Sequence, residues 1–276
     1  MSLKTIQLHL KAMQSKGLGR LDAQILLLYA LGQSTNNRAW LASHDTDELT
    51  IAQQQTLDGF VQRRKAGEPV AYIVGSKEFF GLNFVVNADV LVPRPDTEIL
   101  VEWALAVLPQ SPSSVLDLGT GSGAIGLAIK ANRANSTVTL VDASQAALDV
   151  ACGNAASLGL AVHGVQSNWF ENVPKDERFD LIVSNPPYIA DDDAHLVALA
   201  HEPLMALTSG SDGLTAIRRI IQDAPRFLNR GGWLLLEHGY DQAAAVRELL
   251  IEQGFSNVES RLDLNGIERC TGGVLH

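Results

Sequence analysis

Val115-Leu116-Asp117-Leu118-Gly119-Thr120-Gly121-Ser122-Gly123 is the stretch that decides the fold, because a short apolar strand leads directly into a glycine-rich turn. A helix is predicted over 125–132, immediately after it. Glycines at such a junction permit a tight turn and a close approach of backbone to a ligand. Ligands of doubly wound sheets bind at the carboxyl ends of the strands, so the stretch predicts a binding site at this turn.

Strand and helix patterns alternate along the rest of this region. The sequence predicts strands over 138–142, 162–166, 179–184 and 233–237, helices over 146–158, 214–228 and 242–253, and a closing hairpin of 258–262 with 269–275. Repeated strand–helix units imply a mostly parallel sheet with helices on both faces. The predicted fold class is therefore α/β.

The preceding part of the chain has a helical pattern. Leu3, Ile6, Leu10 and Met13 recur at helical spacing, a second helix follows around 21–31, and a third is predicted over 50–65. Residues 79–86 followed by 90–92 predict a β-hairpin linker, and the prolines of 93–96 start a helix that reaches residue 108. We expect a helical domain over 1–72, a linker over 73–92 and the α/β domain over 93–276. The helical domain either docks a macromolecular substrate or only supports folding.

Composition limits the possible functions. The chain has 276 residues, 46% hydrophobic and 19% charged, with a formal net charge of −10. This acidity argues against a general polyanion binder and is compatible with a basic protein partner. The two cysteines, Cys152 and Cys270, have no metal-ligand spacing, so no metal site is expected. Without a signal peptide or a membrane-length apolar run, the expected location is the cytoplasm.

The glycine turn alone leaves two cofactors open. Gly121, Gly123 and Gly126 fit the dinucleotide fingerprint, and Asp142, which ends the second strand, could bind the ribose of either NAD or S-adenosylmethionine. Asp117 would repel a pyrophosphate but attract the amino group or sulfonium of S-adenosylmethionine, which favours the methyl donor. Alternatively, Asp117 stabilises the turn by accepting hydrogen bonds from local amides.

Asn185-Pro186-Pro187-Tyr188 directly follows the strand predicted over 179–184, so it projects from the same sheet edge as the glycine turn. Two prolines fix its backbone and remove two donors. The Asn185 side-chain oxygen and the Pro186 carbonyl remain as acceptors, and Tyr188 offers an aromatic face. Two fixed acceptors suit the NH₂ group of a primary amide or an exocyclic amine. The alternative is a rigid turn with a buried tyrosine.

This loop predicts a reaction that needs no strong general base. Two acceptors that hold the protons of a planar nitrogen would aim it at the methyl group for a direct in-line displacement, helped by positioning and electrostatics. The scattered histidines, including His195 and His238, are interpreted as surface or packing residues.

In these motifs the sequence resembles the release factor glutamine methyltransferase family, often called HemK or PrmC. The matching segments are 93–98, 117–123, 141–142, 166–170, 184–189 and 235–239. The resemblance implies a Rossmann-like class I methyltransferase domain with a seven-stranded, mostly parallel sheet behind a helical N-terminal domain. It also implies N5-methylation, with S-adenosylmethionine as donor and S-adenosylhomocysteine as product, of the glutamine in the Gly-Gly-Gln motif of class 1 peptide chain release factors, which modulates translation termination.

The resemblance also implies roles for individual positions. The turn would hold the methionine part of the cofactor, Asp142 the ribose, and Trp169 the adenine. Asn185 would meet cofactor and target amide, and Pro186, Pro187 and Tyr188 would form the glutamine pocket. The family usually has an aspartate where this chain has Asn168, whose amide oxygen can still accept from the adenine amino group. The full set of expected cofactor residues is Asp117, Gly119, Thr120, Gly121, Ser122, Gly123, Asp142, Asn168, Trp169 and Asn185.

Several rival functions fit part of the sequence. A glutamine methyltransferase of a ribosomal protein would use the same site. Adenine-N6 methylation of nucleic acid also suits the Asn185 loop, but the acidic charge and the lack of a basic target-recognition region weigh against it, so no direct nucleic-acid target is expected. A dehydrogenase would leave the Asn185 loop unexplained, and a non-catalytic binding protein would leave the whole site without use.

Overall fold

The computed structural model describes residues 5–276. Leu3, predicted in the first helix, lies outside the described residues. The chain divides into two compact units, one up to Ser76 and one from Lys77 to His276. Among the described residues, no helix combines the length and the apolar character needed to cross a membrane.

The first unit is helical, as its periodicity predicts. It contains α1 (Ile6–Ser15), α2 (Arg20–Ala30), α3 (Arg38–Ser43), α4 (Ile51–Lys65) and α5 (Val70–Val74). Thr5 caps α1, and Thr50 forms a capping box with Gln53 at the start of α4. Helices α3 and α5 were not predicted, because six and five residues are too few for a helical period to show.

A two-stranded hairpin follows, formed by β1 (Ser76–Phe79) and β2 (Leu82–Val85). Phe80 and Gly81 have φ angles of 50° and 75°, as a tight two-residue hairpin turn requires. The prediction that 90–92 belongs to this hairpin was wrong. Asn87 forms a local turn by accepting from the Asp89 N–H at 3.0 Å, and Val90 and Val92 are buried residues that belong to no strand of the hairpin.

The second unit is built on a seven-stranded sheet, which confirms the predicted α/β class. Its strands are β3 (Ser114–Leu118), β4 (Thr137–Asp142), β5 (His163–Gln166), β6 (Phe179–Ser184), β7 (Leu228–Glu237), β8 (Phe255–Leu262) and β9 (Glu268–Leu275). Their order is β5-β4-β3-β6-β7-β9-β8, and β9 runs antiparallel to both of its neighbours, β7 and β8. The accompanying helices are α6 (Glu98–Val107), α7 (Ala124–Asn132), α8 (Gln145–Ser157), α9 (Thr215–Asp223) and α10 (Ala243–Glu252).

The strand order changes direction at β3, which has β4 on one side and β6 on the other. Leu118 and Ser184, the last residues of β3 and β6, are partners in register, and the buried Ser184 hydroxyl donates to the Leu118 carbonyl at 2.7 Å. The glycine turn and the Asn185 loop therefore leave the sheet side by side, at the position where open α/β sheets bind ligands.

The helix predicted over 214–228 is shorter than expected. It ends at Asp223, and a 3-10 turn with Pro225 leads into β7, which begins at Leu228 rather than Trp233. Proline cannot continue the hydrogen-bond ladder of a helix. The sequence did not predict the first residues of β7. Gly231 and Gly232 lie in this part of the strand, where its pairing with β6 is irregular.

Candidate active site

A cavity opens at the carboxyl ends of β3, β4 and β6. It brings together most of the predicted site residues, lined among others by Gly119, Thr120, Gly121, Ser122, Asp142, Asn168, Trp169, Asn185 and Pro187. Gly123, Pro186, Tyr188 and Asp117 do not line it. All lining residues belong to the second unit.

The glycine turn forms one wall of this cavity. Gly119, Gly121 and Gly123 have φ angles of 67°, 55° and 83°, which side-chain-bearing residues rarely adopt. Asp142 supports the turn, since its carboxylate accepts from the N–H groups of Gly121 and Ser144, both at 2.9 Å. Burial raises the pKa of Asp142, and these backbone hydrogen bonds act in the opposite direction.

Asp117 lies beneath the turn and is fully buried. Its Oδ2 accepts from the Thr120 hydroxyl at 2.6 Å and from the Gly126 N–H at 2.9 Å, while its Oδ1 has no hydrogen-bond partner among the described residues. Burial raises the pKa of Asp117 to about 6. This placement agrees with the alternative considered for Asp117, that of a residue which organises the turn; direct contact with a cofactor stays a prediction.

Trp169 and Asn168, which follow β5, form a second wall of the cavity. Trp169 has a φ of 53°, an unusual conformation for a bulky residue and one that often marks a functional site. A Cβ atom on Gly119 would lie 3.4 Å from its ring, so the indole packs on the glycine turn. The Asn168 amide NH₂ donates to Glu171 at 2.9 Å, which leaves its oxygen available as an acceptor.

Only part of the Asn185 loop faces the cavity. Asn185 and Pro187 line it, whereas Pro186 is buried and Tyr188 packs against the apolar core of the sheet. The Asn185 Nδ2 donates to the Thr97 hydroxyl at 3.3 Å. The Tyr188 hydroxyl donates to Glu237 Oε1 at 3.3 Å, and burial followed by the Glu237 charge raises the pKa of Tyr188.

Glu237 was not singled out from the sequence as a site residue. It ends β7 and is 2% exposed, and within residues 5–276 its Oε2 atom has no hydrogen-bond partner. Burial raises its pKa to about 7, against the effect of the neighbouring Thr97 and Tyr188 hydroxyl groups. A charged residue at the end of an apolar strand was the sequence signal that could have identified it.

An ion pair shapes the opposite wall and was also not predicted. Arg94 borders the cavity and pairs with Glu202, whose side chain is 3% exposed and also accepts from the Val92 N–H at 3.2 Å. Pro203 and Met205, which follow Glu202, line the cavity. The pair therefore fixes a segment distant in sequence against the residues that precede α6.

The histidines have the roles that the sequence suggested. His238 is buried and contacts the Gly239 carbonyl and the Thr271 hydroxyl, so it is a packing residue. His195 pairs with Asp193, but its side chain is 82% exposed and neither residue lines the cavity.

Comparison with known proteins gives two family matches within the chain. Residues 96–207 match the family described as "Methyltransferase small domain", and residues 8–75 match "PrmC N-terminal domain". A release factor glutamine methyltransferase of Bordetella pertussis is 50% identical over 94% of this chain and 96% of its own length. That of Coxiella burnetii is 48% identical over 91% and 90%.

Solved structures share the fold at low identity. A methyltransferase from Pyrococcus furiosus superimposes with a TM-score of 0.55 and 19% identity, covering 79% of this chain and 96% of its own. A Thermus thermophilus 16S rRNA methyltransferase in complex with AdoMet and guanosine gives a TM-score of 0.54 and 20% identity, covering 73% and 50%. These likenesses support the fold alone.

Proposed function

The chain belongs to the release factor glutamine methyltransferase family and is a methyltransferase; from this premise we propose that it methylates N5 of the glutamine in the Gly-Gly-Gln motif of class 1 peptide chain release factors, with S-adenosylmethionine as donor. Its effect would be to modulate translation termination. The observation that carries the proposal is the position of Asn185, which lines the same cavity as the glycine turn.

The cavity fits S-adenosylmethionine by the chemistry of its donors and acceptors. The glycine turn provides a wall without side-chain bulk at Gly119 and Gly121, and Asp142 offers a carboxylate to ribose hydroxyls. Trp169 provides an aromatic surface for adenine, and Asn168 keeps an amide oxygen for its amino group. When bound, the cofactor supplies an electrophilic methyl group on a sulfonium.

Asn185 provides the acceptor that orients the target nitrogen. Because its Nδ2 donates to Thr97, its Oδ1 is left to accept from a primary amide. The Pro186 carbonyl, the second predicted acceptor, belongs to a buried residue that does not line the cavity. An amide held by Asn185 keeps its nitrogen aimed at the methyl group, and it need lose a proton only after the new N–C bond forms.

The test is methylation by the full chain with labelled S-adenosylmethionine and three acceptors: a class 1 release factor, ribosomal proteins and nucleic acid. We expect label on the release factor, mapped by mass spectrometry to the motif glutamine. A release factor with Asn in place of that glutamine is the matched control and should take no label. Label confined to ribosomal protein or to nucleic acid would overturn the proposal in favour of the corresponding rival.

A further inference from the structure

Asn154 of α8 links the glycine turn to the hairpin formed by β1 and β2. Its Oδ1 accepts from the Val85 N–H at 2.8 Å, and its Nδ2 donates to the Val85 carbonyl at 3.0 Å. The same Nδ2 donates to the Ser122 carbonyl at 2.9 Å. Asn154 is 1% exposed, so these three hydrogen bonds take the place of the water that its amide loses on burial.

The partners of Asn154 leave its amide a single orientation. Both carbonyls can only accept, so the NH₂ group must face them and the oxygen must face the Val85 N–H. In an antiparallel strand, the N–H and C=O groups of one residue point to the same side. Val85 therefore turns one edge of β2 towards Asn154, whose amide pairs with this edge as a neighbouring strand would.

One face of α8 follows the back of the glycine turn. Ala147 borders the cavity, and Ala151 and Asn154 come after it at helical spacing on the same side. A Cβ atom on Gly123 would lie 3.3 Å from the Ala151 Cβ, so Ala151 packs on the turn. Asn154 does not line the cavity, whereas Ser122 does. The Ser122 carbonyl is therefore held by a residue behind the turn.

The direction of this carbonyl matters because the next residue is a glycine. Gly123 has a φ of 83°, and glycine accepts both signs of φ, so the peptide between Ser122 and Gly123 can flip at low steric cost. Two hydrogen bonds oppose the flip, one from the Gly123 N–H to the Thr120 carbonyl at 2.8 Å and the one from Asn154. A carbonyl turned into the cavity would repel the carboxylate of the cofactor's methionine part, which this turn is proposed to hold.

We propose that Asn154 is a positioning residue for the cofactor, which holds the Ser122 carbonyl behind the glycine turn and couples it to β2 through Val85. This inference deepens the proposed function and rests on it. The hairpin would thus support cofactor binding, although none of its residues 76–85 lines the cavity.

The first test is the binding of S-adenosylmethionine to wild type and Asn154→Ala, measured by calorimetry without an acceptor. The variant removes the donor to Ser122 and leaves polar space that water can fill. One buried hydrogen bond corresponds to a factor of about ten, so the cofactor affinity should fall about tenfold. In methylation assays the KM for S-adenosylmethionine should rise equally. Both kcat and the KM for the release factor should change less than about twofold, because saturating cofactor restores the turn.

Ser136→Ala is the matched control for a general loss of stability. The Ser136 hydroxyl is buried and lies 3.0 Å from the Ser113 hydroxyl, at the amino ends of β3 and β4, whereas the cavity lies at their carboxyl ends. Both variants should lower Tm, but Ser136→Ala should keep the wild-type cofactor affinity. An Asn154→Ala enzyme with wild-type cofactor affinity, or one whose loss appears in kcat alone, would overturn the inference.

Hydrogen exchange in the wild type, followed by NMR, tests the coupling to the hairpin without any substitution. With S-adenosylmethionine at about 100-fold above its Kd, exchange of the Val85 N–H should slow about tenfold or more. The Phe80 N–H, which donates to Glu98 at 3.0 Å in the same hairpin, should slow less than about twofold. Equal slowing at both amides, or none at Val85, would overturn the coupling. Failure of the proposed function is a separate outcome, since the wild type would then bind S-adenosylmethionine and place no label on a release factor glutamine.

Discussion

Gly126→Ala is predicted to destabilise the second unit, although alanine favours a helix over glycine. Gly126 lies in α7, and a Cβ atom there would lie 2.5 Å from Leu140 Cδ2 and 2.9 Å from Asp117 Oδ2. Overpacking of a core costs about 1–3 kcal/mol, and displacement of a buried carboxylate from its hydrogen bonds adds about 1.5–3 kcal/mol. The better helix propensity of alanine offsets about 1 kcal/mol of this cost, which leaves a net loss of about 1.5–5 kcal/mol.

Gly153→Ala is the matched control. Gly153 lies in α8 and is exposed, its φ is not unusual, and a Cβ atom added there would have no other atom within 4 Å. The same substitution should therefore stabilise the protein by about 1 kcal/mol. In thermal unfolding followed by circular dichroism, Gly126→Ala should lower Tm by about 10 °C and Gly153→Ala should raise it by about 2–4 °C. A Gly126→Ala protein with a Tm at or above that of the wild type would refute the packing argument.

Three further predictions concern the site and the first unit. Asn185→Ala should lower kcat about 10²–10³-fold, while the cofactor affinity measured by calorimetry stays within about threefold of the wild-type value. An unchanged kcat would contradict the role of Asn185. Asp117→Asn should gain stability relative to wild type as pH rises from about 4 to 7. Burial raises the pKa of Asp117 from 3.8 in the unfolded chain to about 6 in the folded protein. The free energy of unfolding of the wild type therefore falls by up to about 3 kcal/mol between pH 4 and pH 7. A Tm difference between variant and wild type that does not change with pH would refute this prediction. A chain that begins at Ser76 should remain folded but methylate an intact release factor at least about tenfold more slowly, and equal rates would remove the docking role of the helical unit.

The parts of the site that the sequence predicted are contiguous in the chain. Each consists of a strand followed by its loop, as for β3 with the glycine turn and β6 with Asn185. Apolar runs identify the strands, and parallel strands place their following loops at one sheet edge. The fold class and the cavity residues in these loops could therefore be predicted without knowledge of long-range contacts.

The parts that were not predicted depend on contacts between distant segments. Glu237 lies beside the Asn185 loop because of the sheet register, in which Ser184 lies opposite Leu236. Thr97 precedes α6 and contacts Asn185 from outside the sheet. Arg94 and Glu202 are 108 positions apart, and neither has a local pattern that names its partner. The same limit applies to Tyr188, whose aromatic character indicated a ligand surface but whose ring packs on the core instead.

The hydrogen bond from Ser184 to the Leu118 carbonyl has a consequence for how this enzyme can change during evolution. It fixes the ends of β3 and β6 against each other, because a slip of one residue would leave a buried hydroxyl and a carbonyl unpaired and would turn every side chain to the opposite face. The spacing between the glycine turn and the Asn185 loop is thus set by neighbouring strands, which lie about 4.8 Å apart. Insertions or exchanges in the segment after Tyr188, which contributes Pro203 and Met205 to the cavity wall, therefore leave this spacing unchanged.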